Sequence, residues 1–267
     1  MGDGMAAKAR RTRQGAHSIA GRALTLLACL VCAPVGAQDA SRCEPVSESL
    51  AAPAPLPQVT AALARADKKL RLLIIGGPAG GSRSARRSYP ATLESLLEKA
   101  LAGIDVIVVN RPMSGETAAN ALERIRTEMA LQRPDLLIWQ VGGGDILAHV
   151  APWDYEQNLA DGVRWVKEAG ADVLLVGFEA NPYLHDDAEE AAIQEATRKV
   201  AAKEGVFYIR RAEAVQVAAR AKSRADQGDN PLPLETGGEC VAAQVAQALA
   251  ANLVLRRTRP TAPIIEP

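Results

Sequence analysis

The sequence predicts an α/β fold: one domain built on a five-stranded parallel sheet covered by helices on both faces. Two observations carry this. Five short runs rich in Leu, Ile and Val recur from residue 70 onward, and longer stretches with helical periodicity separate them. The runs are near-continuous in apolar residues rather than alternating, as strands buried on both faces are. The first is "LRLLIIG" (70–76), followed by the amphipathic stretch "YPATLESLLEKAL" (89–101). "DVIVVN" (105–110) precedes "ETAANALERIRTEMAL" (116–131), and "DLLIWQV" (135–141) precedes "DYEQNLADGVRWVKEAG" (154–170). "DVLLVGF" (172–178) leads to a helix over 187–203, then "VFYIR" (206–210), and "CVAAQVAQALAANLVL" (240–255) makes a last helix.

The two ends of the chain differ from this pattern. Lys8, Arg10, Arg11, Arg13 and Arg22 precede the short apolar core "ALTLLACLVCAPVGA" (23–37), which closes on small residues. That is the layout of a secretory signal peptide over 1–37, too short for a spanning helix, which needs about 20 apolar residues. "LLAC" (26–29) offers a lipoprotein cleavage box and Arg10-Arg11 a twin-arginine signal as alternatives. Residues 38–68, with "SLAAPAPLP" inside them, are expected to form an extended N-terminal arm. The domain proper is expected over 69–255, with a disordered tail over 256–267. A periplasmic or secreted protein follows, with no membrane span.

The whole chain holds 31 basic and 31 acidic residues, of which the leader carries five and one; the mature part is left with 26 and 30, a net of −4. No basic surplus is present to displace counterions, which argues against nucleic acid as a partner. Cys43 and Cys240 are the cysteines left after the leader. In an oxidising compartment such a pair is expected to form one disulfide, with two free thiols as the alternative.

Ligands in open α/β sheets sit beyond the carboxyl ends of the strands. The turns there are "GGPAGGS" (76–82), "NRPMSGE" (110–116), "GGGD" (142–145) and "EANPYLHDD" (179–187). A phosphate-binding P-loop would need Lys where Ser82 stands, and no dinucleotide fingerprint is present. A neutral anion nest near Arg83, Arg86 and Arg87 is an alternative.

Taken in order, "NRPMSGET", "PDLLIWQVGGGD" and "GGECVAAQVAQAL" resemble the motif blocks of the SGNH/GDSL hydrolases, secreted bacterial serine esterases and acylhydrolases. The resemblance covers roughly residues 43 to 255. It implies a three-layer flavodoxin-like fold, and no cofactor. It also implies a nucleophilic Ser after the first strand, an oxyanion hole from a Gly and an Asn, and an Asp-x-x-His near the C-terminus. Carried over by position, Pro78 stands where the nucleophilic Ser belongs, Gly144 where the Asn belongs and Leu232 where the His belongs. Gly115 and Asp229 keep the family's residues. Proline supplies neither an attacking oxygen nor a backbone N–H, and a carboxylate orients a base without replacing it. The expected protein is therefore a non-catalytic binding or accessory protein of the cell envelope, with a small molecule or an acylated glycan as ligand.

Its cleft is expected to be walled by Gly77, Gly80, Gly81 and Gly143, with Asp145 at the edge and Tyr183 beside it. A hydrolase with a relocated nucleophile, Ser82 with His185, is the alternative. A vestigial cleft on a scaffold is a third reading. With His149 and His185 the two histidines after the leader and no cysteine cluster, no metal is expected.

Overall fold

The computed structural model describes residues 54–77, 89–178, 187–211 and 240–250. The chain separates into two units, Met1–Val35 and Gly36–Pro267, and every described residue belongs to the second. In chain order the elements are α1 (Pro57–Ala64), β1 (Lys69–Gly76), α2 (Tyr89–Ala100), β2 (Asp105–Arg111), α3 (Ala118–Gln132) and β3 (Leu136–Gln140). There follow α4 (Gly143–Leu147), α5 (Pro152–Glu168), β4 (Asp172–Val176), α6 (Asp187–Glu204), β5 (Phe207–Ile209) and α7 (residues 240–250).

The five strands form one parallel sheet in the order β2-β1-β3-β4-β5, the flavodoxin-like arrangement. Successive side chains leave a strand on opposite faces, and the core divides accordingly. Leu70, Leu72 and Ile74 of β1, with Leu136, Ile138, Leu174 and Val176, pack under α1, α2 and α7. Leu73, Ile75, Leu137, Trp139, Val173 and Leu175 pack under α3, α5 and α6. Each fully buried aliphatic side chain contributes about 1.5–3 kcal/mol. Three layers result.

The expected arm over 38–68 needs correction, because 57–64 is helical. Pro57 opens α1, where its missing N–H costs nothing. Leu56, Val59 and Ala62 then bury one stripe against the sheet, so the core begins before residue 69. The short α4 was also not anticipated from its glycine-rich sequence.

Two aspartates fasten α1 to the amino ends of the strands. Asp135 receives Arg65 Nη1 at 2.7 Å and Nη2 at 2.9 Å, and also the backbone N–H of Arg71 at 2.9 Å. The bond to Asp135 holds the Arg65 guanidinium pKa above its ordinary value. Asp172 accepts the backbone N–H of Val59 at 2.9 Å. Replacing Asp135 by alanine should lower stability by about 2 kcal/mol in urea unfolding, discounted for the partly exposed Arg65. This edge serves stability, and the opposite edge is free for a site.

Trp139 explains a glycine inside a helix. A Cβ on Gly162 of α5 would lie 2.6 Å from Cη2 and Cζ3 of the buried indole. Alanine there gains about 1 kcal/mol of helix propensity and meets a packed ring. Gly162→Ala should therefore lower Tm, at a net cost of about 1–2 kcal/mol.

Candidate functional site

At the carboxyl edge of the sheet the described residues line a cavity of about 250 Å3. Its floor is Gly77 and Arg211, just past the ends of β1 and β5, with Gln140, the last residue of β3. Gly115, Gly143, Gly144 and Phe178 form the walls. Met113 and Leu147, both about half exposed, stand at the mouth.

Each wall has a local cause. Gly77 has φ +79, and a Cβ on it would lie 2.1 Å from Oε1 of Gln140. The turn after β1 therefore needs glycine for its left-handed backbone, with the end of the Gln140 side chain packed beside it. Gln140 Oε1 in turn accepts Arg211 Nη1 at 3.2 Å, fixing a cation in the floor.

Gly144, at the start of α4, meets the turn after β2. A Cβ there would lie 2.1 Å from the backbone oxygen of Glu116, 2.4 Å from its carbon and 2.8 Å from its nitrogen. That backbone is itself braced. Arg124 Nε donates to Glu116 Oε1 at 2.8 Å, and Arg124 Nη2 donates to Oε2. Arg124 Nη1 also holds the carbonyl of Arg111 at 2.8 Å. Thr117 caps α3 by accepting the N–H of Asn120 at 3.3 Å. No side chain fits at position 144 unless this turn moves.

Asp145 departs from expectation. It was expected at the cleft edge, but its carboxylate is buried, and both oxygens face the N–H of Ala118, at 3.0 and 3.2 Å. It anchors the first turn of α3. Burial raises its pKa above the ordinary 3.8, and backbone N–H donors from Ala118, Gly142 and Asp145 itself pull it back. Its oxygens are consumed by the backbone, which removes it as a cation ligand.

His149 follows α4 at φ +50 and is exposed, with Nδ1 3.3 Å from Oε2 of Glu189. It does not line the cavity. Of the other sequence-derived candidates, Gly77, Gly115, Gly143 and Gly144 converge on the cavity. Pro78, Gly80, Gly81, Ser82, Tyr183, His185, Asp229, Leu232 and Cys43 lie outside the described residues. Gln140, Phe178, Arg211, Met113 and Leu147 were not singled out from the sequence. Their one signal is position: Gln140 is the polar residue near the end of the third apolar run and Arg211 directly follows the fifth.

A parallel sheet in this order, with a cavity over its carboxyl edge and the second and third motif blocks meeting there, defines an SGNH/GDSL hydrolase-like protein. The chain belongs to the Non-GDSL lipase-like family, whose model matches residues 42–254. It is 40% identical over 90 residues to esterase TesA of Pseudomonas aeruginosa, covering 33% of this chain and 45% of that protein. It is 31% identical over 122 residues to an arylesterase of Vibrio mimicus, covering 45% and 60%. The chain thus spans about half the length of the curated relatives it matches. A crystal structure of TesA superposes with a TM-score of 0.54 and 25% identity, over 67% of this chain and 99% of the other. A lipase/acylhydrolase from Enterococcus faecalis gives 0.54 at 19% identity, over 72% and 99%, a likeness of fold.

Proposed function

We propose that this chain is an exported member of its family that binds a ligand in the cavity without hydrolysing it. The observation that carries the reading is at Gly144. The place into which a side chain would project from the family's asparagine position is taken by the backbone of Glu116. With Pro78 and Leu232 at the positions of Ser and His, three parts of the ester-cleaving machinery are replaced together. Loss of triad members costs about 10⁴ or more in rate. The cavity suits a small molecule or the acyl group of a glycan, of the kind the cell envelope supplies.

The basic start and short apolar core of residues 1–37 support export, to the periplasm or outside the cell. No helix among the described residues is long and apolar enough to cross a membrane. The proposed Cys43–Cys240 bridge would draw on Cys240, which is buried at the start of α7.

A second reading, a serine ester hydrolase using Ser82 and His185, is favoured by the esterase names of the relatives. Hydrolysis of 4-nitrophenyl acetate and 4-nitrophenyl decanoate separates the two. The expected result is no turnover above the uncatalysed background. Turnover that vanishes in Ser82→Ala would establish the hydrolase.

A further inference from the structure

Resting on the reading of the cavity as a ligand site, we propose that the connection between α4 and α5 docks the cavity mouth on the surface of a zwitterionic phospholipid bilayer. The observation is the apolar run "LAHVAPWD" (147–154), in which every residue is exposed except the half-buried Val150. Trp153 stands out at 68% exposure and Leu147 at 54%. Apolar side chains grouped on a surface, rather than scattered singly, mark a contact site.

The topology puts this run beside the cavity. α4 follows the carboxyl end of β3, and α5 runs back to the start of β4, so Pro152 and Trp153 open α5 at the carboxyl edge of the sheet. Leu147 belongs to both features: it begins the exposed run and, with Met113, lines the cavity.

The backbone of the run suits an apolar medium. The N–H groups of Ala148, His149 and Val150 donate to the carbonyls of Gly144, Ile146 and Asp145 at 3.0, 3.0 and 2.9 Å. Pro152 has no N–H to satisfy, and the carbonyl of Ala151 accepts the N–H of Tyr155 at 3.0 Å. Polar groups already paired enter a headgroup boundary at little cost, whereas bare ones resist it. Tryptophan, with an apolar body and one N–H, settles at such a boundary.

Charge selects the kind of surface. From Ile146 to Val163 the chain has no Lys or Arg, and Asp154 is exposed at the end of the run. Arg111, at the end of β2 on the same edge, is bound to Glu128 at 3.0 Å. Attraction to anionic lipid relies on clustered basic residues, so a surface without net charge is favoured here. A protein seated on Leu147 and Met113 would close the mouth, whereas a bilayer offers acyl chains to it.

The test is co-sedimentation of the purified protein with vesicles of phosphatidylcholine alone and of phosphatidylcholine mixed with phosphatidylglycerol, at low and high salt. The protein should partition onto both, no more strongly where phosphatidylglycerol is present, and salt should not release it. Trp153→Ser combined with Leu147→Ser should weaken partition by about tenfold or more and leave Tm unchanged, since both side chains are exposed. Leu131 provides the control. It is 69% exposed at the end of α3, on the opposite edge of the sheet, and Leu131→Ser should leave partition unchanged.

No partition onto phosphatidylcholine, partition that needs phosphatidylglycerol and is released by salt, or undiminished partition of the double variant would each overturn the proposal. So would a dimer in sedimentation equilibrium that the double variant separates, which would make a second copy the occupant. Partition needs no chemistry in the cavity, so its failure leaves the non-catalytic reading standing. Turnover of the 4-nitrophenyl esters overturns that reading and leaves the lipid-facing run intact.

Discussion

Asparagine at position 144 should break the site rather than rebuild it. On the family's pattern Gly144→Asn restores an oxyanion donor, and a simple loss of one side chain would be reversible. The packing says otherwise. The new Cβ would start 2.1 Å from the carbonyl oxygen of Glu116, well inside van der Waals contact, before any further atom is added. The obstacle is backbone, so no rotamer change relieves it. Nor can the turn retreat cheaply, since Arg124 holds Glu116 and Asp145 holds Ala118 on either side of it. Overpacking of this kind costs about 3 kcal/mol or more when the surroundings cannot yield. Urea unfolding of Gly144→Asn should show a loss of that size. Esterase activity should not appear, even with Pro78→Ser and Leu232→His added. A stable Gly144→Asn protein would mean that the 114–117 turn is free to move and that the cavity wall is misassigned.

The second large effect is expected at Asp145. Alanine there removes an acceptor held by the N–H of Ala118 through both oxygens and leaves that donor buried. Loss of a charge-assisted bond to a helix end costs about 1.5–3 kcal/mol, and the cavity left behind adds to it. Asp145→Ala should thus fall near 3 kcal/mol, whereas Asp145→Asn keeps one acceptor oxygen and should lose about half as much.

The pH dependence has a definite sign. Because burial raises the folded-state pKa of Asp145 above 3.8, the native state holds a proton there that the unfolded chain has already released. Its contribution is fully present below the unfolded value and is lost as pH rises through the folded one. Wild type should therefore gain stability relative to Asp145→Asn as pH is lowered towards 3.8. Melting curves of both proteins across that range check the sign. A gap that instead moves in favour of Asp145→Asn would show that the backbone donors, not burial, dominate at this carboxylate.

The fold was legible because both faces of the central strands are covered, which leaves near-continuous apolar runs there. Around residues 57–64, local composition and tertiary packing pull in different directions. The segment around Pro57 is rich in Pro and Ala and has the look of an extended arm. It forms a helix because Leu56, Val59 and Ala62 find a sheet face to cover. Burial, not propensity, decides a helix of 8 residues.

The site divides in the same way. Its glycines could be found because a motif and a strand end coincide on them. Asp145 was placed in the right turn and on the wrong side, since a sequence does not say whether a carboxylate faces the cleft or a neighbouring helix end. Gln140 and Arg211 were missed because they lie 71 residues apart and belong to no local pattern. Only the closing of the sheet brings them together.

The central claim, a cavity that binds without cleaving, is met most directly by treating the purified protein with a fluorophosphonate serine probe and locating any adduct by mass spectrometry. No adduct is expected on the folded protein, at a concentration that labels a serine esterase completely. A stoichiometric adduct on Ser82 would contradict this and identify the nucleophile of an active hydrolase.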